Sequence, residues 1–231
     1  MACEATVAAD RRIGCIGGPL SRERSLAGGA ALPARPMLIA KLGGSLATGG
    51  LLPRWIALLA AAPCPVVVVP GGGPFADAVR AAQGPLGFDD ATAHRMALLA
   101  MAQFGLAIAA AHPRFSVAAD ESGIRAALRQ DKIPVWSPAP MALEAPEIPA
   151  SWDVTSDSLA AWLAGRLGAA GLLLVKQVDV APGSTAQSLA DLGIVDPCFP
   201  AFLRASGARA SVAGPADLLA GELRGTPVAP A

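Results

Sequence analysis

"VVVVPGGGPFADAVRAA" (residues 66–82) runs four valines into a proline, three glycines and a segment of helical pattern. The valine run has no polar face, as a strand buried on both sides has none. Gly71, Gly72 and Gly73 carry no side chain, which suggests that something passes close to the backbone there. Pro74 suits the first turn of a helix, where its missing N–H would be unpaired anyway. Strand, glycine turn and helix N-terminus in that order make a cradle for an anion, because free N–H groups and the helix dipole point the same way.

The stretch "KLGGS" (residues 41–45) places a second glycine turn, Gly43-Gly44, after another apolar segment, "MLIAKL". Beyond these two, strand and helix patterns take strict turns. "LPRWIALLAAA", "DDATAHRMALLAMAQFGLAIAAA", "SGIRAALRQ", "SDSLAAWLAGRLGA", "CFPAFLRASG" and "PADLLAGEL" read as helices, and "FSVAA", "IPVWSP", "GLLLVKQV" and "ARASVAG" as strands. Such alternation predicts an α/β fold with a mainly parallel central sheet covered on both faces. Ligands of these sheets bind beyond the carboxyl ends of the strands, where both glycine turns lie. Residues 1–36, rich in Gly, Pro and Arg and without period, read as a disordered leader or as a start assigned too early. Residues 37–231 read as a single domain.

Composition narrows the class. The chain has 231 residues, 53% of them hydrophobic, enough for one well-filled core. Lys+Arg and Asp+Glu are both 18, a balance that suggests neither a nucleic-acid nor a membrane-surface partner. The apolar run 55–69 is broken by Pro63 and Pro65 and is too short to span a bilayer. No apolar core of a signal peptide follows Arg11 and Arg12. Four scattered cysteines without a C-x-x-C pair suggest reduced thiols and a cytoplasmic protein, with no metal framework.

Three lysines stand beside fifteen arginines, and two of them, Lys41 and Lys176, fall in or at the end of predicted strands. A lysine buried there without an anion is costly, and a compact ammonium suits a single phosphoryl oxygen. Lys132, in a polar turn, reads as solvated. In "DVTSDSLAAWLAG", Thr155 or Ser156 is a candidate helix cap with Asp157 in the first turn. Beside two lysines, Asp157 is also a candidate to hold both ammonium groups apart at the width of a transferring group. No G-x-x-x-x-G-K-[ST] sequence occurs, which excludes a P-loop enzyme, and Gly71-x-Gly73-x-x-Ala76 lacks the acidic partner that a dinucleotide site expects.

Taken together, "KLGGS", "PGGGPFAD", "TSDSLA" and "LLLVKQVD", in that order over residues 37–222, resemble the amino-acid kinase superfamily. Within it, "SWDVTSDSLAAWLA", the pair His94-Arg95 and "CFPAFLRASG" resemble the small kinases of methanofuran biosynthesis, which act on 5-(aminomethyl)-3-furanmethanol phosphate. The resemblance implies a three-layer αβα sandwich, with residues 37–150 as the acceptor-binding lobe and residues 151–231 as the nucleotide-binding lobe. It implies transfer of the γ-phosphoryl group of ATP to a phosphate monoester, with Mg²⁺ bound through the nucleotide phosphates and a homo-oligomeric assembly. Position by position it implies Lys41, Asp157 and Lys176 as catalytic. Gly43, Gly44, Ser45, Gly71, Gly72, Gly73, His94, Arg95, Thr155 and Ser156 would bind phosphate or substrate. Gly43, Lys176 and Asp179 would lie toward the nucleotide.

The turn after "LLLV" departs from the T-D-V-D-G of the superfamily: it reads Lys176-Gln177-Val178-Asp179-Val180, and the chain has no tyrosine. The altered turn keeps open a relative that binds ATP or oxyanions without turnover, and a kinase of UMP or isopentenyl phosphate stays open because these too accept a phosphate monoester. A carboxylate kinase and a dinucleotide-dependent oxidoreductase fit less of the pattern. Arg80 reads as a solvated helix residue, His112 as a helix-end residue, and Asp77 or Asp89 as alternatives for meeting an amine on the acceptor. The apolar helix within residues 96–111 reads either as core or as an interface.

Overall fold

The computed structural model describes residues 36–230. Six parallel strands and one antiparallel strand form one seven-stranded sheet. In chain order these are β1 (Leu38–Leu42), β2 (Val66–Pro70), β3 (Phe115–Ala118), β4 (Ile133–Trp136), β5 (Gly171–Val175), β6 (Arg209–Ala213) and β7 (Thr226–Val228). Their order across the sheet is β3-β4-β2-β1-β5-β6-β7, and only β7 runs antiparallel, against β6.

Alternation along the strands divides the apolar side chains between two faces. Ile39, Val67, Val69, Leu172 and Leu174 meet one core, with α4 (Glu121–Arg129), α6 (Ser156–Leu167) and α8 (Phe199–Ser206). Leu38, Ala40, Leu42, Val66, Val68 and Leu173 meet the other, with α1 (Leu52–Ala60) and α9 (Pro215–Ala220). The fold is thus the expected three-layer α/β sandwich.

The remaining helices are α2 (Gly73–Leu86), α3 (Asp90–Ala110), α5 (Ala139–Ala142) and α7 (Ala186–Asp191). The sequence reading missed α5, α7 and β7, all six residues or shorter, too short for a period to show. It also ran β5 on through Val178, whereas the strand ends at Val175. The helix α2 runs past its expected end, through Gly84 and Pro85, and stops at the left-handed Gly87.

Two expectations from composition need correction. By length and composition alone α3 could cross a membrane, which the reading of the shorter run 55–69 did not foresee. In the fold, Leu98, Met101, Phe104 and Ile108 of α3 are buried against the sheet and its neighbours, so core packing accounts for much of its apolarity. Cys198 is a free thiol, but Cys64 is disulfide-bonded, so four reduced cysteines is not the outcome. Spacing along a chain does not report distance in space. Cys3, Cys15 and the expected leader lie outside the described residues, apart from Pro36.

The chain leaves β1 in one direction across the sheet, through β2 to β4 and β3, and returns on the other side through β5 to β7. A crevice opens beyond the carboxyl ends of strands at such a reversal. β1 and β5 are direct neighbours there, with Leu42 opposite Val175.

Candidate active site

Lys41 is the fourth residue of β1 and shares the face of Ile39, the face that α6 covers. Lys176 follows the last residue of β5. Parallel pairing therefore brings the two lysines to the same edge of the sheet from adjacent strands. Asp157, in the first turn of α6, sits between them. Its Oδ1 lies 2.8 Å from Lys41 Nζ, an ion contact without hydrogen-bond alignment, and its Oδ2 accepts a hydrogen bond of 2.7 Å from Lys176 Nζ.

Burial decides what this triad needs. Lys41 and Asp157 are 5% and 4% exposed. Burial pushes the Asp157 carboxyl up, but the ammonium groups of Lys41 and then Lys176 outweigh it and hold the pKa at about 2. Lys176 falls to about 8, chiefly through burial and then the Lys41 charge, against the pull of Asp157 and Asp196. Two ammonium groups thus share one contacting carboxylate, so among the described residues one positive charge at the strand ends has no carboxylate of its own in direct contact. An anion is the partner that would neutralise it.

The helix α6 is not capped as its sequence suggests. Thr155 occupies the cap position, but its side chain makes no cap bond to the helix. Asp196, on the loop before α8, takes that place. Its Oδ2 accepts from Thr155 N at 3.0 Å, Thr155 Oγ1 at 2.8 Å and Ser158 N at 3.0 Å, and its Oδ1 accepts from the Ser158 hydroxyl. Sequence reasoning missed Asp196, because a partner about forty residues away leaves no local signal.

The two glycine turns pack against each other. A Cβ on Gly44 would stand 2.3 Å from Gly73 N, and one on Gly71 would stand 2.4 Å from Gly44 N. Gly72 has Ala76 Cβ in its way at 2.2 Å, and Gly73 has a left-handed φ of +55°. The sequence argument expected a ligand to exclude side chains here. Backbone meeting backbone does so at Gly44 and Gly71, and the helix's own first turn does so at Gly72.

A cavity of about 280 Å³ opens beside this junction. Gly44, Ser45, Gly72, Gly73, His94, Thr155 and Ser156 line it, as the sequence suggested for a binding site. Buried Gly71 does not line it, nor does Gly43, whose Cβ position faces Val175 O and Lys41 Nζ. Of the pair His94-Arg95, only His94 turns inward, and burial pushes its pKa below the usual value, so the ring is neutral at pH 7. Arg95 is exposed and does not line the cavity. Asp179 is exposed, and its Oδ1 accepts from Ala216 N in the first turn of α9.

The far wall was not foreseen. Arg80 lies over the Trp152 ring at 4.3 Å, a cation–π arrangement. Trp152 Nε1 donates to Gln83 Oε1 at 2.7 Å, and Gln83 Nε2 donates to Asp90 Oδ1 at 2.8 Å. Arg80 and Asp90 line the cavity there, beside Asp77. Asp89 instead caps α3 by accepting from Thr92 N at 2.8 Å. Of the two carboxylates weighed for an amine, Asp77 is the one at the cavity. Lys132 donates to Pro113 O, and His112 Nδ1 accepts from Arg114 N, both away from the site.

Comparison with known proteins gives the family and the fold. The sequence profile of the Amino acid kinase family matches residues 36–181. The chain belongs to the amino acid kinase family. A relative within reach of sequence comparison is the [5-(aminomethyl)furan-3-yl]methyl phosphate kinase of Methanocaldococcus jannaschii, 29% identical over 150 residues, 60% of this chain and 68% of that one. Among solved structures, uridylate kinase from Archaeoglobus fulgidus superposes with a TM-score of 0.61 at 18% identity, over 84% of this chain and 100% of that one. An isopentenyl phosphate kinase gives 0.55 at 19% identity, over 83% and 100%. These two show a shared fold. The amino acid kinase family makes this chain a phosphotransferase.

Proposed function

We propose that this enzyme transfers the γ-phosphoryl group of ATP to a small phosphate monoester, with 5-(aminomethyl)-3-furanmethanol phosphate as its acceptor. The observation that carries the reading is Asp157 bridging Lys41 and Lys176, two ammonium groups in contact with a single carboxylate. Transfer of a phosphoryl group calls mainly for positioning and charge neutralisation, and this arrangement supplies both. In the transfer, the bond from the γ-phosphorus to its bridging oxygen breaks as one forms to an ionised oxygen of the acceptor phosphate. ADP leaves and a diphosphate monoester results.

The residues fit an anion at two adjoining places. Lys41 and Lys176 would neutralise charge on the transferring group, while the N-termini of α2 and α6 and the turns at Gly44 and Gly73 face the cavity where an acceptor phosphate would rest. Leu98, Met101, Val154, Leu159 and Trp152 supply an apolar wall for the body of the acceptor. Asp77 and Asp90 stand where an amine would be held. Among the described residues no group of three or more His, Cys, Asp or Glu is placed to hold a metal. In this reading Mg²⁺ arrives on the nucleotide phosphates.

The 29% identical relative, by its name, acts on the furan phosphate, which supports that acceptor over UMP and isopentenyl phosphate. ADP release with Mg·ATP and each of the three acceptors tests the choice. Turnover on the furan alone is the expected result. Turnover on UMP or isopentenyl phosphate in its place would reassign the acceptor, and ATP binding without turnover on any would leave an oxyanion-binding relative.

A further inference from the structure

Asp196 is 6% exposed and Ser158 is wholly buried, and neither lines the cavity. A buried carboxylate is costly unless its oxygens are hydrogen-bonded. At Asp196 four donors converge, all from Thr155 and Ser158, the residues two before and one after Asp157. The carboxylate is therefore fixed to the one helical turn that carries Asp157. It also lies close enough to Lys176 to favour that lysine's charged form.

We infer that Asp196 is a positioning residue, which locks the first turn of α6 so that Asp157 stands between Lys41 and Lys176 and sets a second negative charge beside that turn. The groups facing Lys176 are Lys41 from β1, Asp157 from α6 and Asp196 from the loop before α8. Lys41 works against its protonation, and the two carboxylates work for it. Because Asp196 makes its bonds through donors on α6, it serves at once as the missing helix cap and as a remote counter-charge.

These two roles separate experimentally. Asp196→Asn keeps an oxygen for Thr155 N, Thr155 Oγ1 and Ser158 N, and the Ser158 hydroxyl can turn to accept from the new amide. The cap survives while the charge is removed. The chain has three lysines, so the side-chain ammonium signals of the full chain can be followed by NMR, with Lys132→Arg and Lys41→Arg to assign them. The expected result is that Lys176 titrates at lower pH in Asp196→Asn than in the wild type while the melting temperature stays close. Its kcat falls about tenfold or more, with KM little changed. A Lys176 titration at the wild-type pH overturns the proposal and leaves Asp196 as a cap alone.

The rate readout rests on the kinase reading above, but the titration does not. An inactive wild-type protein would sink that reading and leave the lysine signal to decide this one. Should Asp196→Asn fail to fold, Ser158→Ala removes a single hydroxyl contact. A displaced Lys176 titration then supports the proposal, and an unmoved one overturns it.

Discussion

Gly71 and Gly44 face each other so closely that a Cβ on Gly71 would lie 2.4 Å from Gly44 N. The turns after β1 and β2 are therefore one joint, and the cavity is built on it. Gly44→Ala and Gly71→Ala each push a methyl group into backbone, which cannot give way as a side-chain tip can. Both should lower the melting temperature, by roughly 1–3 kcal/mol of stability, and acceptor turnover should fall with it. Gly84→Ala is the control: nothing lies within 4 Å of its Cβ position in α2, and helix preference favours alanine by roughly 0.5–1 kcal/mol. Thermal melts of the three variants check the contrast, and equal behaviour would refute the joint.

Lys41→Met keeps most of the stem and removes the charge. Lys176 and Asp157 then form a neutral pair, so the fold should hold. If Lys41 neutralises charge on the transferring group, kcat should drop about 10²–10³-fold. Steady-state kinetics beside a melting curve would show it, and near-normal kcat would remove Lys41 from the chemistry.

Asp157→Asn does the reverse. Two buried ammonium groups would share no carboxylate, at a cost of about 3–5 kcal/mol. In the wild type the same carboxylate makes the fold acid-sensitive. Its pKa in the folded chain, about 2, lies below the ordinary 3.8, so the unfolded chain binds more protons between those values. Its contribution to stability is full above pH 4 or so and is lost as pH falls toward 2. Acid titration of wild type and Asp157→Asn, followed by circular dichroism, should show this loss only in the wild type.

Activity should decline on the alkaline side. Lys176 at about 8 is charged below that pH and neutral above it, and only the charged form can neutralise a phosphoryl oxygen. The kcat profile should therefore fall with an apparent pKa near 8. Stability moves the other way: above pH 8 the folded chain sheds a proton that the unfolded chain holds up to 10.5, so this lysine's contribution rises with pH through that window. Flat kcat through pH 9 would dissociate Lys176 from turnover.

Much of this was legible in the sequence. The valine run 66–69, the glycine turns and the strict alternation of patterns gave the sheet and its ligand edge, and three lysines among fifteen arginines drew attention to Lys41 and Lys176. The illegible parts share a cause: they depend on pairs distant in sequence. Asp196 reaches Thr155 across 41 residues and Trp152 reaches Gln83 across 69, and no local period marks either. Gly71 was visible as a constraint, but its partner turned out to be Gly44 rather than a ligand. The pair His94-Arg95 looked like one unit, yet consecutive helical residues point about 100° apart, and only His94 faces the cavity.

The central claim is that the cluster of Lys41, Lys176 and Asp157 receives a phosphoryl group on its way to an acceptor phosphate. ³¹P NMR of the full chain with Mg·ATP and 5-(aminomethyl)-3-furanmethanol phosphate reads this directly. The account predicts loss of the acceptor's monoester signal and growth of paired diphosphate signals matching the ADP formed, abolished in Lys41→Met. Release of inorganic phosphate with the monoester signal intact, or the same spectrum from Lys41→Met, would contradict it.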